Sequence, residues 1–323
     1  MPRQARLDIP GALHHIIVRG INKSSIFDDD RDKAAFLDRI GEILGGTQDR
    51  IYAWALMRNH VHILFKSGQV GISSFMRKLL TWYALYYNRR HHRTGHLFEN
   101  RYKSILCDED TYLLTLVRYI HLNPVRARII KTLEELDRYQ WSGHRAIIGK
   151  AAYPWMDIET VLFQFGNSPS QAKAEYRRFV RDGMEQGRIP ELTGGGLIRS
   201  QGGWSQVLSM RRKGLEEEFD ERILGAGDFV NEILKETEET EMRQLKLKRS
   251  GLTMERIIKE ECKKSGVSPA ELKRGNKRRP VCETRIAVAR RSRSELGLSG
   301  AEIARHLGVN TSSVNRALAK SEG

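Results

Sequence analysis

The feature that most constrains this chain is an alternation, within its first 122 residues, between short β-branched apolar runs and longer amphipathic stretches. Residues 12–19, ALHHIIVR, close at Gly20, and residues 51–65, IYAWALMRNHVHILF, close at Ser67 and Gly68; both read as strands. Between them, DDDRDKAAFLDRIGEILGG opens on Asp28 to Asp30, repeats apolar residues at Phe36, Leu37, Ile40, Ile43 and Leu44, and stops at Gly45-Gly46. That pattern predicts an amphipathic helix. A second helix is predicted over 72–90, with Phe75, Leu79, Trp82, Leu85 and Tyr86 on one stripe, and a third over 111–122, ending before Pro124. A β-α-β-α order with too few strands for a barrel implies an α+β fold, one antiparallel sheet covered by helices.

Beyond residue 150 the pattern changes. PWMDIETVLFQFG and SPSQAKAEYRRFVRDGM look helical, LTGGGLIRSQGGW reads as a glycine-rich connection, and ERILGAGDFVNEILKETEETEMRQL as one helix or two running into a charged linker. Residues 151–242 are therefore expected to be a helical bridge. The net charge of +15 is unevenly spread: +9 over residues 1–150, −6 over 151–242 and +12 over 243–323. Two basic blocks flanking an acidic spacer suit a polyanion, since clustered Lys and Arg gain affinity by releasing counterions from phosphates. The three cysteines, Cys107, Cys262 and Cys282, are far apart, which excludes a disulfide framework or a zinc ribbon. Without an apolar run of membrane-spanning length or an apolar signal segment after Met1, a cytoplasmic protein with no membrane partner is expected.

Within the second apolar run, RNHVHILF places His60 and His62 two residues apart. On a strand both project from one face and Val61 from the other. The pair reads either as two metal ligands or as polar decoration of a half-buried strand. A metal held by two imidazoles needs a third ligand, and the helix at 111–122 supplies candidates. Tyr119 and Asn123 are spaced i, i+4 on one helical face, so an amide oxygen and a phenol can point at the same place. The competing readings are a core tyrosine and a helix-ending asparagine. Arg101, Lys103, Arg126 and Arg128 are candidates for clamping a phosphate backbone or form a solvated basic face. Trp82, Tyr83, Tyr86 and Tyr87 either stack bases or, at helical spacing, belong to the core. Of the remaining histidines, His15 and His96 are the ones expected to approach the pair.

RNHVHILF, then GHLFENRYKSIL, then LVRYIHLNPVRARII resemble, in that order over about residues 5–150, the HUH single-strand DNA transposases with one catalytic tyrosine, specifically the REP-associated tyrosine transposases. The resemblance implies a ferredoxin-like domain whose central strand carries the two histidines. By position it implies His60, His62 and Asn123 on a divalent Mg²⁺ or Mn²⁺ ion and Tyr119 as nucleophile. The implied chemistry is nicking and rejoining of single-stranded DNA near a hairpin through a 5′-phosphotyrosine. A tyrosine with a pKa of ~10 needs a proton acceptor at pH 7; a metal-bound water or His121 are the candidates.

The second basic block carries its own signal. SGAEIARHLG begins with Ser299 as N-cap, packs Ile303, Ala304 and Leu307, turns at Gly308 and leads into TSSVNRALAK, with Val314 and Leu318 facing inward. This helix-turn-helix would aim Asn310, Thr311, Ser312, Ser313, Asn315 and Arg316 at a major groove. Together with LTMERIIKEECKKSGVSPAELKRGNKRRP, the region is similar to the DNA-binding domain of the DnaA replication initiator, departing from it at GVNTSSVN, after the turn. The expected organisation is a catalytic domain at 1–150, the bridge at 151–242 and an all-α duplex-binding domain at 243–323, acting as a monomer or homodimer. A non-catalytic DNA-binding regulator is the alternative, and a phosphodiesterase using water in place of Tyr119 is a third reading.

Overall fold

Four strands assemble the sheet that the alternation predicts. In the computed structural model, which describes residues 7–68, 71–187, 189, 192, 220, 222–225, 227–274, 276, 278–311, 313–314 and 318, they are β1 (Leu13–Arg19), β2 (Arg50–Met57), β3 (His60–Lys66) and β4 (Lys103–Cys107). They pair antiparallel in the order β2-β3-β1-β4, and a short β5 (Ile223–Leu224) adds parallel to β4. Helix α1 (Asp30–Leu44) connects β1 to β2 and α2 (Ile72–Arg90) connects β3 to β4, giving β-α-β-β-α-β. The apolar run 51–65, expected as one strand, is thus two strands of a hairpin. It breaks at Arg58-Asn59, whose carbonyls accept from Ile26, Phe27 and Gly20 N–H groups and fasten the turn to the segment after β1. β4, too short and polar-flanked to stand out in the sequence, completes the sheet.

Alternation along β3 assigns the two faces. Val61, Ile63 and Phe65 point toward α2, where Phe65 stacks on Phe75 with ring centroids 4.6 Å apart. α1 lies beside α2, joined by an edge-on Phe36–Tyr83 contact at 4.9 Å. α1 starts where the Asp29 carboxylate caps the Asp32 N–H at 3.1 Å and ends at Gly45, burying Phe36, Leu37, Ile40, Ile43 and Leu44. Each such side chain contributes roughly 1.5–3 kcal/mol by leaving water. The other face, bearing His60, His62 and Leu64, is covered by α3 (Glu109–His121), which packs over β2 and β3.

The core continues past residue 150. After α4 (Asn123–Arg126), α5 (Leu133–Arg138) and α6 (His144–Ile147) come α7 (Ile158–Phe163) and α8 (Pro169–Asp182). Val161, Tyr176 and Val180 are fully buried in the cluster that holds the sheet. The helices expected as a separate bridge therefore belong to the first of two units, residues 1–231 and 232–323, and the boundary falls inside helix α9 (Gly227–Arg249). The glycine-rich connection lies outside the described residues except for Leu192.

The second unit is all helical among its described residues: α10 (Met254–Ser265), α11 (Pro269–Lys273), α12 (Arg279–Leu296) and α13 (Gly300–Leu307), around Ile257, Leu272, Val281, Val288, Ile303 and Leu307. Caps explain its boundaries. Thr253, Ser268 and Ser299 each accept a backbone N–H at the start of a helix, Ser299 with Glu302 as a full capping box. Gly266, Gly297 and Gly308 close helices in the left-handed conformation. At Gly308 any side chain would strain the turn, because a Cβ would lie 2.9 Å from the Lys273 carbonyl oxygen. Val314 and Leu318 are buried in the same core, as the sequence predicts. Among the described residues no helix is long and apolar enough to cross a membrane.

Candidate functional site

Register brings the site together. β1 pairs with β3 so that Ile17 lies opposite His62 and Arg19 opposite His60, which puts His15, Ile17 and Arg19 on the face that carries the histidine pair. His60 and His62 have ring centroids 5.3 Å apart. His15 stacks on His62 at 5.1 Å and 27°, with its Nε2 2.9 Å from His62 Nδ1. From α3, the Tyr119 ring reaches 6.2 Å from His62 and 6.0 Å from His15. Three elements thus converge on one patch, with Tyr119, His62 and His15 buried and His60 half-buried. His15 approaches the pair as expected, whereas His96 is exposed.

Helix α3 carries Glu109 and Asp110 in its first turn, complementing the positive end of its dipole. It yields to α4 through Leu122, which keeps helical angles (φ −86°, ψ −1°), so Asn123 remains one turn beyond Tyr119 on a continuing helical path. Asn123 is 8% exposed, and its Nδ2 has no hydrogen-bond partner among the described residues. A buried amide with an unused end can turn its oxygen outward as a ligand. Two imidazoles and one amide oxygen are a neutral N/O donor set that suits a divalent cation, and an anionic phosphate would complete its charge.

Electrostatics favour the neutral form of His15 and His62. Burial pushes His15 down to about 4, and Lys103 adds to the effect while the bond to the Leu192 carbonyl opposes it. Burial also holds His62 well below the ordinary histidine range, with His15, His60, Arg19 and Arg126 all acting in the same direction. The permanent charges among these, Arg19 and Arg126, are both positive. This is a surrounding suited to a polyanion.

The predicted cations divide. Lys103 is exposed and stands opposite Ile17 on the site face of β4. Arg101 and Arg128 are also exposed. Arg126 is half-buried. Its guanidinium lies 4.6 Å over the Tyr119 ring, donates from Nη1 to the Tyr119 carbonyl at 2.7 Å, and from Nε to the Gly187 carbonyl at 3.2 Å. It braces the tyrosine helix. Arg19, opposite His60, was not singled out from the sequence, although period-2 counting from His15 reaches it.

His121 is excluded as the proton acceptor for Tyr119. Two residues on, it points to another side of α3, fully buried, with Nδ1 2.7 Å from the Tyr176 hydroxyl. The aromatic stripe of α2 lies on the far side of the sheet. Tyr83 and Tyr87 are core residues whose hydroxyls bond the Ile26 carbonyl and Asp28, while Trp82 and Tyr86 stack on each other at 5.3 Å, half-buried. Ligand-type atoms of Asp28, Asp32 and His91 also gather within 4.8 Å. There the buried Asp32 carboxylate is already occupied by Arg90, His91 and the Asp28 N–H. In the second unit the exposed Asn310 caps the turn that follows α13, its Oδ1 accepting the Ser313 N–H at 2.7 Å. Thr311 and Ser313 are half-buried; Ser312, Asn315 and Arg316 lie outside the described residues.

Residues 10–123, about a third of the chain, match the family described as "Transposase IS200 like". A solved structure described as "Structure of the REP associates tyrosine transposase bound to a REP hairpin" is 16% identical over 49% of this chain and 93% of that chain, with a TM-score of 0.39. No curated protein matches the chain.

Proposed function

We propose that residues 10–123 form the core of an enzyme that nicks and rejoins single-stranded DNA near a hairpin, with Tyr119 as nucleophile and His60, His62 and Asn123 as ligands of a divalent ion. The observation that carries this reading is the convergence of His15, His60, His62 and Tyr119 on one sheet face, with the cationic Arg19 and Arg126 both acting on His62. The β-α-β-β-α-β order with strands β2-β3-β1-β4 supports reading the domain as ferredoxin-like.

The Tyr119 oxygen gives up its proton and attacks the scissile phosphorus, the bond to the 3′ oxygen breaks, and the 5′ phosphate stays on the tyrosine while the released 3′ oxygen takes up a proton, so that the net transfer is of one proton from the phenol to the 3′ hydroxyl through solvent. Mg²⁺ or Mn²⁺, when bound, neutralises the non-bridging oxygens. Arg126, packed over the Tyr119 ring, favours negative charge on the phenol oxygen both before attack and when the tyrosine leaves again. Arg19, Lys103, Arg101 and Arg128 offer backbone contacts around the cut. Residues 243–323 act as a DnaA-like helix-turn-helix that holds duplex DNA, supported by the capped α13, the Gly308 turn and the net charge of +12.

The test is covalent capture. Incubated with hairpin oligonucleotides and Mn²⁺, the protein should give an adduct that survives a denaturing gel, and Tyr119→Phe should abolish it while leaving DNA binding intact. Undiminished cleavage by Tyr119→Phe would replace the tyrosine mechanism with hydrolysis.

A further inference from the structure

The outer edges of the two histidine rings carry an arrangement that strand spacing alone does not require. A carbonyl oxygen only accepts hydrogen bonds, so His15 Nδ1, 2.7 Å from the Leu192 carbonyl oxygen, must bear a proton. In a neutral imidazole its Nε2 is then an acceptor. Its neighbour at 2.9 Å, His62 Nδ1, must be the donor. His62 is left with its lone pair on Nε2.

His60 is treated in the same way from the opposite side. Asn59, in the β2–β3 turn, donates Nδ2 to the Lys23 carbonyl at 2.9 Å, which orients its amide. Its Oδ1 then faces His60 Nδ1 at 2.7 Å and accepts a hydrogen bond from it, so in a neutral ring the acceptor nitrogen of His60 is again Nε2. The Lys23 carbonyl is aimed by a segment in which Asn22 and Lys23 hold φ of +51° and +60°, angles that non-glycine residues keep only when surrounding contacts impose them.

We propose that two relays anchored on main-chain carbonyls, Leu192–His15–His62 and Lys23–Asn59–His60, lock both histidines in the Nδ1–H tautomer and so present two Nε2 lone pairs to a divalent cation. His15 and Asn59 are positioning residues. The inference rests on the metal site proposed above, and it adds the parts that orient the ligands. It also gives the chain beyond residue 123 a role in the site, because the carbonyl that starts the first relay belongs to Leu192, a residue 2% exposed in the core of the first unit. Hydrogen bonds from ligating histidines to outer partners are a general means of fixing ring orientation and raising basicity, and their loss typically weakens metal binding about 10–100-fold.

Long-range ¹H–¹⁵N correlation of the histidine rings in the full-length, metal-free protein at pH 7.5 reads the tautomers directly. Nδ1–H forms of His15, His60 and His62 are expected, and an Nε2–H form of His60 or His62 overturns the proposal. Mn²⁺ titration followed by electron paramagnetic resonance supplies the second measurement. His15→Phe keeps the ring but cannot accept a proton, so Mn²⁺ affinity should fall about 10–100-fold and His62 should revert to Nε2–H. His15→Gln, whose Oε1 can accept from His62 Nδ1, should stay within a few-fold of the wild type. Asn59→Ala should do to His60 what His15→Phe does to His62. Wild-type affinity in His15→Phe and Asn59→Ala refutes the relays, and if these variants fail to fold the wild-type tautomers still decide. Nδ1–H tautomers in a wild-type protein that binds no Mn²⁺ would uphold the relays and remove the metal reading instead.

Discussion

Lowering the pH should unfold the first unit by a route that its buried histidines determine. His14 and His15 are fully buried and held at about 4, in both cases mainly by burial, against an ordinary value of ~6.5 for an exposed histidine. Above pH 6.5 both are neutral whether the chain is folded or not, and they cost nothing. Between pH 6.5 and 4 the unfolded chain takes up protons that the folded chain refuses, so each group removes about 1.4 kcal/mol of stability per pH unit. At pH 5 that is roughly 2 kcal/mol for each, or about 4 kcal/mol together, a large share of the ~5–15 kcal/mol that holds a typical domain. His62, His121 and His144 are displaced in the same direction and steepen the loss. Exposed carboxylates contribute little in this window, because they titrate near pH 4. All five tryptophans precede residue 232, so their fluorescence in a denaturant titration reports the first unit alone. The midpoint should drop sharply from pH 7.5 to 5.0. An unchanged midpoint would mean that these rings are charged or solvated in the folded protein, and the neutral donor set inferred for His15 and His62 would fall with it.

His62→Ala should raise the Mn²⁺ concentration needed for adduct formation by at least about tenfold or abolish the adduct, since the ring is the proposed ligand and packs against His15 and Tyr119; normal cleavage would return the pair to strand decoration. Removing residues 232–323 should leave nicking of a short hairpin in place but weaken binding to duplex DNA and flatten its dependence on salt, because the basic C-terminal block is lost; an unchanged salt slope would put the main phosphate contacts in the first unit. Gly308→Ala should destabilise the second unit by about 1–3 kcal/mol, seen as a lower midpoint in its own unfolding transition, since φ is +63° and the added Cβ meets the Lys273 carbonyl; a neutral effect would show that this turn relaxes freely.

How much of this site can be read in one sequence follows from what each residue depends on. His60 and His62 share a face by the period of a strand, and Tyr119 and Asn123 share one by the period of a helix, so both pairs are legible from spacing alone. The capped helices of the second unit are legible for a similar local reason, Ser299, Glu302 and Gly308 being its boundaries. The hairpin at Arg58-Asn59 is not, because β2 and β3 are buried on both faces and their side chains show no alternation that would mark a turn. Nor is β4, whose five residues KSILC gain their place only by pairing with β1.

The contacts that matter most to the chemistry are further still from local pattern. His15 reaches His62 only because β1 pairs with β3 in one register, and a slip of a single residue would turn the histidine pair away from β1's His15, Ile17 and Arg19 toward the opposite face. The Leu192 carbonyl reaches His15 across 177 residues of sequence, through a main-chain atom whose identity no side chain announces. On the proposed reading, residue types carry the ligands and the nucleophile, while register and distant backbone carry their aim, and it is the second group that would turn the two imidazoles into a pair of donors.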